Sequence, residues 1–333
     1  MKIAIDAMGG DNAPVEIVKG AVNASSYIES EIILVGDENK IKPLIPENAK
    51  KITILHTDEY VEMSESPSVA LRKKRNASII VAANLIKEKK ADALITAGNT
   101  GAFLEASVLH IGRLKSAKIK RPALSVVLPS FNKPTILLDA GANPECKPEY
   151  LVQFAKMGST YAKHILNVEN PTVGLINIGS EDNKGSSFIQ TTYELLEKSS
   201  VNFKGNVEPN TVMEGIVDVA VADGFVGNII LKTAEGTGGL VTKLIKQHIG
   251  KNPISIFGAM LMKGVFKKLK KEMDHSEYGG ALLFGIDGIS IKVHGRAKYD
   301  AVENAIKLAE RMIKKDIIKL FAEDMAESEE KNG

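Results

Sequence analysis

Five short segments combine glycine with aspartate or asparagine, and each follows an apolar run typical of a β-strand. They are residues 6–12 (DAMGGDN), 96–101 (TAGNTG), 139–143 (DAGAN), 177–185 (NIGSEDNKG) and 222–228 (ADGFVGN). Glycine lets backbone N–H groups approach a ligand closely, and a helix that begins in such a loop turns the positive end of its dipole toward it. This combination suits a phosphate or a developing oxyanion.

A tight strand-to-helix turn is the alternative interpretation of any one of these loops. The five together favour one shared anion site, because ligands bind at the carboxyl ends of the strands of an open parallel sheet. The candidate binding residues are Asp6, Gly9, Gly10, Asp11, Gly98, Asn99, Thr100, Gly101, Asp139, Gly141, Asn143, Asn177, Gly179 and His294.

The candidate catalytic residues are Lys184, Asn228 and Asp223. Lys184 is the predicted cationic contact to the anion, although a solvent-exposed lysine explains its position equally well. Asn99 and Asn228 either donate from their side-chain amides or are turn residues. The loop aspartates are expected to orient loop amides or the lysine, because a bare carboxylate would repel phosphate. These aspartates are Asp6, Asp139 and Asp223.

Two further side chains have both a chemical and a structural interpretation. His294 ends a predicted strand, where it either donates to a substrate or has a structural role. Cys146, the single cysteine, follows the third loop and could carry an acyl group covalently. Its position is more typical of a small packing residue.

Several common kinds of site are absent from the sequence. No G-x-G-x-x-G follows a strand, and residues 179–185 lack the Gly-Lys-Ser/Thr ending of a P-loop. H-E-x-x-H and G-x-S-x-G are also missing. One cysteine and six scattered histidines exclude a disulfide framework and disfavour structural zinc. We therefore expect no metal and no cofactor.

The elements that position these loops follow an α/β pattern, in which short β-branched runs alternate with helical repeats. We predict a three-layer αβα fold with a mostly parallel sheet, formed by one large domain over residues 1–333. Helices are predicted after Pro14, over Pro148–Leu166 and over Tyr299–Leu320. The predicted strands are Lys2–Asp6, Glu31–Val35, Lys51–Leu55, Ala93–Thr96, Ala123–Leu128, Thr135–Leu138, Thr172–Asn177, Val217–Ala222 and Gly288–Val293.

Residues 237–273 form a predicted basic, amphipathic helical appendage, with a break at Gly250–Pro253. Residues 236–271 hold eight lysines and no acid, whereas the whole chain has a net charge of only +2 and ends in an acidic tail over residues 323–333. Apolar residues recur every three or four positions. Such a face packs into a core or a dimer interface, or lies on an anionic bilayer. The predicted membrane contacts are Phe257, Met260, Leu261, Val265, Phe266 and Lys267.

Several motifs together resemble the PlsX family of bacterial phosphate acyltransferases over residues 1–320. The matching segments are MGGD (8–11), TAGNTGA (96–102), LLDAGAN (137–143), DGFVGN (223–228) and EYGGA (277–281). The resemblance implies a fold like that of phosphotransacetylases and isocitrate dehydrogenases, and a homodimer. It also implies acyl transfer from acyl carrier protein to inorganic phosphate for phospholipid synthesis, membrane association, and a membrane glycerol-3-phosphate acyltransferase as the next partner. Ser180 and Phe284 depart from the expected pattern, which affects only acyl chain-length selectivity.

Phosphate attack on a thioester fits these loops, because it needs an oxyanion held beside a carbonyl and an easily expelled thiolate. Coenzyme A thioesters, as used by phosphotransacetylases, are an alternative donor, and a non-catalytic, membrane-attached phosphate-binding scaffold is another class. Nucleic-acid binding is disfavoured, because the lysines lack a helix-turn-helix context and the rest of the chain is net acidic. Residues 72–75 and 118–121 are rival basic docking surfaces for the carrier protein.

The location of the protein follows from the apolar segments. Asp6 interrupts what would have to be a signal peptide, and no apolar run approaches a membrane span of roughly 18 residues. We expect a cytoplasmic protein that contacts the membrane peripherally.

Overall fold

The computed structural model describes residues 1–250, 252–272 and 278–330. Within them, eleven strands form one sheet in the order β3-β2-β1-β4-β11-β10-β5-β6-β9-β7-β8. The strands are β1 (Lys2–Asp6), β2 (Glu31–Gly36), β3 (Ile52–His56), β4 (Ala93–Thr96), β5 (Ala123–Leu128), β6 (Thr135–Leu138), β7 (Thr172–Ile176), β8 (Asn202–Val207), β9 (Val219–Val221), β10 (Ala281–Phe284) and β11 (Ile289–Lys292).

Thirteen α-helices flank this sheet in the described part of the chain. They are α1 (Val15–Ser25), α2 (Glu38–Ile41), α3 (Pro67–Lys73), α4 (Ser78–Lys87), α5 (Thr100–Ala106), α6 (Pro148–His164), α7 (Ser187–Glu197), α8 (Pro209–Val212), α9 (Gly224–Ile249), α10 (Pro253–Leu261), α11 (Lys263–Glu272), α12 (Tyr299–Lys314) and α13 (Ile317–Glu330). Short 3-10 turns span Lys42–Leu44 and Lys115–Ala117, and a π-helical turn spans Ser107–Ile111.

The sheet separates two apolar layers, because successive strand side chains face opposite sides. In β1, Ile3 and Ile5 belong to the apolar layer that includes α1, α6, α12 and α13, whereas Ala4 belongs to the layer that includes α3, α4, α5 and α9. Each fully buried aliphatic side chain of this kind contributes about 1.5–3 kcal/mol. The predicted three-layer αβα arrangement is confirmed.

The sheet is mostly parallel, as predicted, since seven of its ten strand pairings are parallel. However, β10 is antiparallel to both β11 and β5, and β5 is antiparallel to β6. The block formed by β1 to β4 with β11 therefore runs opposite to the block formed by β6, β7, β8 and β9. The loops after β1 and β4 lie at one edge of the sheet, and those after β6, β7 and β9 lie at the other. The expectation that all five loops meet at one edge is wrong.

Nine strands lie where the sequence predicts them, with shifts of one or two residues at their ends, and two were not predicted. β8 has the sequence NFKGNV, whose lysine, glycine and asparagines hide its strand character. It is an edge strand, and a register shift marks its pairing with β7. β10 (ALLF) is short and has no β-branched residue.

The helices follow the predicted pattern with one correction. α6 begins at Pro148, whose missing N–H is tolerated in the first turn of a helix. The repeat predicted as one helix over Tyr299–Leu320 is two helices, α12 and α13, because Asp316 between them has a left-handed φ of 49°.

The first helix of the predicted appendage is not a separate element, because it is the second half of a helix that begins in the body of the protein. α9 begins at Gly224 and extends to Ile249, so its second half belongs to the same helix as its buried first turns. α10 packs against α9 and α11. Lys251 and Met273 of the predicted appendage, Glu277 of the fifth motif and residues 331–333 of the predicted tail lie outside the described residues.

Candidate functional site

Asp6, at the carboxyl end of β1, joins the first two glycine loops. Its Oδ1 accepts hydrogen bonds from Ser78 Oγ at 2.6 Å and from the Met8 N–H at 3.3 Å, and its Oδ2 accepts from Thr96 Oγ1 at 2.7 Å. Burial raises the pKa of this carboxyl group, and those hydrogen bonds partly oppose the rise. Asp6 therefore orients the loops, which is the role expected for it.

Gly9 of the first loop packs directly against Gly98 of the second loop, which leaves no room for a side chain at Gly9. A Cβ there would lie 2.8 Å from the Gly98 nitrogen and would overlap the Asp6 carboxylate. Gly10 has a left-handed φ of 108°, and a Cβ would lie 2.9 Å from the Ala97 Cβ. These glycines bring the backbones of two loops together beneath the end of β4.

Lys292 is a buried cation that the sequence interpretation did not single out. It ends β11 beside Thr96 of β4, and only 7% of it is exposed. Its Nζ donates to the carbonyl oxygens of Val293 at 2.5 Å and Ala97 at 3.4 Å. Burial lowers the pKa of this lysine to about 8, while the negative charges of Asp6 and Asp11 act in the opposite direction.

The segment after Lys292 is hydrogen-bonded to the first glycine loop. The Asp11 N–H donates to the Gly295 carbonyl at 2.8 Å, and Asn12 Nδ2 donates to the Arg296 carbonyl at 3.2 Å. His294 is exposed, and its Nδ1 accepts the Arg296 N–H at 3.1 Å. In the neutral ring this assigns the proton to Nε2, which fits the predicted donor role of His294. That role stays a prediction.

The loop after β6 is built around the fully buried carboxyl group of Asp139. Its Oδ1 accepts from the N–H groups of Leu124, Gly141 and Ala142 at 2.9–3.0 Å. Its Oδ2 accepts from the Asn143 N–H at 2.7 Å and from Asn143 Nδ2 at 2.8 Å. Asp139 therefore orients loop amides, as expected, and Asn143 is held to it by two of these bonds.

α9 begins directly against this loop. Asp223 caps the helix by accepting the Val226 N–H at 2.9 Å, which is an orienting contact of the predicted kind. A Cβ on Gly224 would lie 2.7–2.9 Å from the Asn143 backbone, and one on Gly227 would overlap the Asp139 carbonyl oxygen. Asn228 is exposed beside Gly141. The glycines of α9 thus permit the close contact that brings Asn228 to the loop.

The predicted binding residues of the second glycine loop occupy positions that are less favourable for contacting a ligand. Asn99 caps α5 by accepting the Ala102 N–H, and its Nδ2 donates to the Met63 carbonyl at 3.0 Å. These bonds support the turn interpretation of Asn99. Thr100 and Gly101 form the first turn of α5, where a Cβ on Gly101 would collide with the Pro67 ring.

Lys184 lies in the loop after β7, half exposed and 3.9 Å from Glu181. Asn177 Nδ2 donates to the Lys184 carbonyl at 3.0 Å. The Lys184 Cγ lies 3.4 Å from the position that a Cβ on Gly179 would take. Asn177, Gly179 and Lys184 therefore share one loop at the same sheet edge as Asp139. The proposed contact between Lys184 and phosphate stays a prediction.

Cys146 has the properties of a packing residue. It is half-buried, and its Sγ donates to the Asn143 carbonyl at 3.5 Å. Burial, together with the nearby charge of Asp139, raises the pKa of the thiol to about 12. Because the thiolate is the nucleophile, covalent acyl transfer through Cys146 is disfavoured.

α9 connects the loops at the two sheet edges. Its first turn contacts the Asp139–Asn143 loop, and one turn beyond Asn228 the charge of Lys232 acts on Lys292 and lowers its pKa. Asp6, Asp139 and Lys292 all belong to the face of the sheet that α4, α5 and α9 cover. The candidate site is therefore assigned to one face of the sheet rather than to one edge. We call the part formed by Lys292 and the glycine loops after β1 and β4 the Lys292 crevice. A buried cation beside glycine loops suits a small oxyanion.

Within residues 1–250, 252–272 and 278–330, no helix combines the length and apolar character that crossing a membrane requires. The same residues contain no group of three or more His, Cys, Asp or Glu side chains arranged to hold a metal ion.

The fold is similar to that of solved phosphotransacetylases. A phosphotransacetylase from Streptococcus pyogenes aligns with a TM-score of 0.63 at 14% identity, covering 94% of each chain. The EutD phosphotransacetylase from Staphylococcus aureus aligns with a TM-score of 0.60 at 15% identity, also covering 94% of each chain. These identities are low, so the likeness shows the fold alone, and the fold is the one expected from the motifs.

Sequence comparison is more specific. Residues 1–320 match the protein family described as "Fatty acid synthesis protein". A phosphate acyltransferase of Desulfitobacterium hafniense (strain Y51) is 47% identical over 328 residues, which cover 98% of this chain and 97% of that protein. A phosphate acyltransferase of Dictyoglomus turgidum is 46% identical over 330 residues, which cover 98% of both proteins. With its motifs, its fold and these nearly full-length matches in agreement, the chain belongs to the bacterial phosphate acyltransferase family of enzymes.

Proposed function

We propose that this protein transfers a fatty acyl group from acyl carrier protein to inorganic phosphate, and that the acyl phosphate serves phosphatidic acid synthesis. The single observation that carries the proposal is the Lys292 crevice, in which a buried cation lies among glycine loops in a chain whose relatives are named phosphate acyltransferases. Such a crevice binds a small oxyanion without a nucleotide fingerprint.

The reaction balances without a covalent enzyme intermediate. One oxygen of hydrogen phosphate forms a bond to the thioester carbonyl carbon, and the C–S electron pair leaves with the sulfur. The proton of hydrogen phosphate ends on that sulfur, so the products are the acyl phosphate and the free carrier thiol. Since a thiol has a pKa of about 8.5, the leaving group needs little acid assistance.

The protein contributes position and charge. Cationic side chains hold the phosphate, and the exposed side-chain amide of Asn228, beside Gly141, offers a donor to the carbonyl oxygen that becomes negative. Asp6, Asp139 and Asp223 act indirectly by holding the amides that surround the substrates.

Purified protein is expected to release free carrier thiol from acyl carrier protein only when orthophosphate is added. The measurement is thiol release followed with a thiol reagent, together with detection of the acyl phosphate as its hydroxamate. Acyl coenzyme A serves as the matched donor, because the phosphotransacetylase-like fold makes it the second candidate.

A clear preference for acyl coenzyme A would replace the carrier-protein proposal with that second candidate. Binding of phosphate without turnover of either donor would contradict enzymatic acyl transfer and favour a scaffold.

For the carrier protein, we favour the basic segment 72–75 over 118–121 as the docking surface. Arg72 and Lys73 are exposed in the last turn of α3, whereas Lys74 pairs with Glu65 at 2.7 Å. α3 packs against α5, which begins in the second glycine loop. An acidic protein bound to this segment is therefore close to the loops that would receive its acyl group.

We further propose that the protein is a homodimer that lies peripherally on anionic membranes, where a glycerol-3-phosphate acyltransferase consumes its product. Phe257 is 64% exposed and Leu261 is 74% exposed on α10, and large apolar side chains on the second half of α9 and on α11 are also exposed. Lysines at 243, 246, 263, 267 and 268 accompany them. Each basic residue near an anionic surface adds roughly 1 kcal/mol of attraction.

Leu261→Glu is expected to abolish flotation of the protein with vesicles that contain phosphatidylglycerol, because the charge would enter the apolar layer. Phe131→Glu is the matched control, since Phe131 is equally apolar, 91% exposed and outside this segment. The sedimentation coefficient of each variant is measured in parallel. Unchanged flotation of Leu261→Glu would contradict the membrane proposal, and dissociation of a dimer would assign the face to the subunit interface instead.

A further inference from the structure

Within the part of the chain that the structure describes, Lys292 is buried without a carboxylate partner in hydrogen-bonding contact. Both acceptors of its Nζ are neutral backbone carbonyls, those of Val293 and Ala97. The nearest buried carboxyl group, that of Asp6, is already occupied by Ser78, Thr96 and the Met8 N–H. A buried charge needs compensation, because the low-dielectric interior penalises an unpaired ion.

Two other cations of these segments already have carboxylate partners. Lys232 of α9 pairs with Glu235 at 2.7 Å, and the Arg296 guanidinium lies 3.7 Å from Asp11 in the adjoining loop. Lys292 differs from both, because its ammonium is buried and contacts backbone carbonyls. A bound anion would compensate this buried charge.

The loops beside Lys292 are packed closely together, and glycine makes this approach possible. A Cβ on Gly10 would lie 2.9 Å from the Ala97 Cβ and 3.1 Å from the Gly295 carbonyl oxygen, and Gly10 adopts a conformation that L residues rarely take. Lys184, by contrast, is half exposed and already pairs with Glu181 at the opposite sheet edge. Lys292 is therefore the better placed of the two lysines to bind an anion.

We propose that Lys292 binds the phosphate acceptor directly. This inference rests on the proposed acyl transfer to phosphate, and it assigns the phosphate to the end of β11 rather than to the loop after β7.

Lys292→Met tests this assignment by calorimetric titration with inorganic phosphate at constant ionic strength. The affinity for phosphate is expected to fall at least tenfold, while Lys292→Arg retains part of it. Lys204→Met, a change at an exposed lysine on β8, is expected to bind phosphate like the wild type. Removal of an unpaired buried charge is also expected to leave the unliganded protein at least as heat-stable as the wild type.

A second measurement needs no variant. Sulfate, whose charge is constant across the neutral and alkaline range, is used as a competitor, and its affinity is expected to fall as pH rises through about 8. The sign follows because the ammonium binds the anion below its pKa and the neutral amine above it does not. An unperturbed exposed lysine would lose the anion only near pH 10.4.

The outcomes separate the inference from the proposed function. Wild-type phosphate affinity in Lys292→Met, or loss of affinity in Lys184→Ala alone, would overturn the assignment even if acyl transfer occurs. If Lys292→Met fails to fold, sulfate affinity that stays constant up to pH 10 would overturn it. Phosphate binding that depends on Lys292, in a protein inert toward every acyl donor, would support the assignment and reject the acyl transfer.

Discussion

Asp139→Ala is expected to destabilise the protein by roughly 3–5 kcal/mol, a large part of the typical stability of about 5–15 kcal/mol. The fully buried carboxyl group accepts five hydrogen bonds, four from backbone N–H groups and one from Asn143 Nδ2. Each buried donor left without an acceptor costs about 1–3 kcal/mol, and water can satisfy only those near the surface. Urea unfolding measures the change.

Asp223→Ala is the matched control for that substitution. Asp223 also orients a backbone N–H, but it accepts one such bond among the described residues, from Val226 as the cap of α9, and it is partly exposed. Loss of such a cap typically costs about 1 kcal/mol. If Asp139→Ala destabilises the protein no more than Asp223→Ala does, the Asp139 loop does not depend on the Asp139 carboxyl group.

The strands could be predicted from the sequence wherever they are apolar and β-branched, but their directions could not be inferred from that pattern. Only six residues separate β5 from β6, whereas a parallel crossover needs a dozen or more. The predicted ends at Leu128 and Thr135 therefore already contained the signal for an antiparallel pair. If every loop is assumed to follow a strand of a parallel unit, the reversal of strand direction between β5 and β6 is missed. This reversal is what places the loops at two edges of the sheet.

The orienting contacts of three loop aspartates could be predicted because the chemistry of a short Asp-Gly segment is local, whereas their roles in binding and catalysis stay predictions. Asp6, Asp139 and Asp223 all orient nearby amides or hydroxyls in the structure. Asn99 has an equally local role as a helix cap, and the sequence allowed both this role and that of a ligand donor.

Lys292 could not be inferred from loop chemistry, because it lies inside a strand. The signal available was a lysine in the apolar run Ile289–Val293, at a position that shares a face with Ser290. A lysine is almost never fully buried unless it is paired, so a lysine inside a buried strand indicates a partner that compensates its charge. Lys184 attracted the phosphate assignment because its loop superficially resembles a phosphate-binding loop.

Gly227→Ala and Gly236→Ala are expected to have opposite effects although both lie in α9. A Cβ at Gly227 would overlap the Asp139 carbonyl oxygen and lie 2.9 Å from the carbonyl carbon, whereas nothing lies within 4 Å of one at Gly236. To restore a C···O contact of about 3.3 Å, the start of α9 must move by roughly 1 Å. Alanine at Gly236 instead stabilises the helix by about 1 kcal/mol.

The displacement caused by Gly227→Ala would carry Asn228 and Lys232 away from the Asp139 loop and from Lys292. A misplacement of this size typically lowers the rate about 10²-fold, so kcat for acyl transfer should fall by that factor, and the melting temperature should fall as well. Gly236→Ala should keep kcat and raise the melting temperature. Equal kcat values for the two variants would contradict the idea that the contact of α9 with the Asp139 loop positions the crevice. Of these two glycines, Gly227 is the one that lies against this loop.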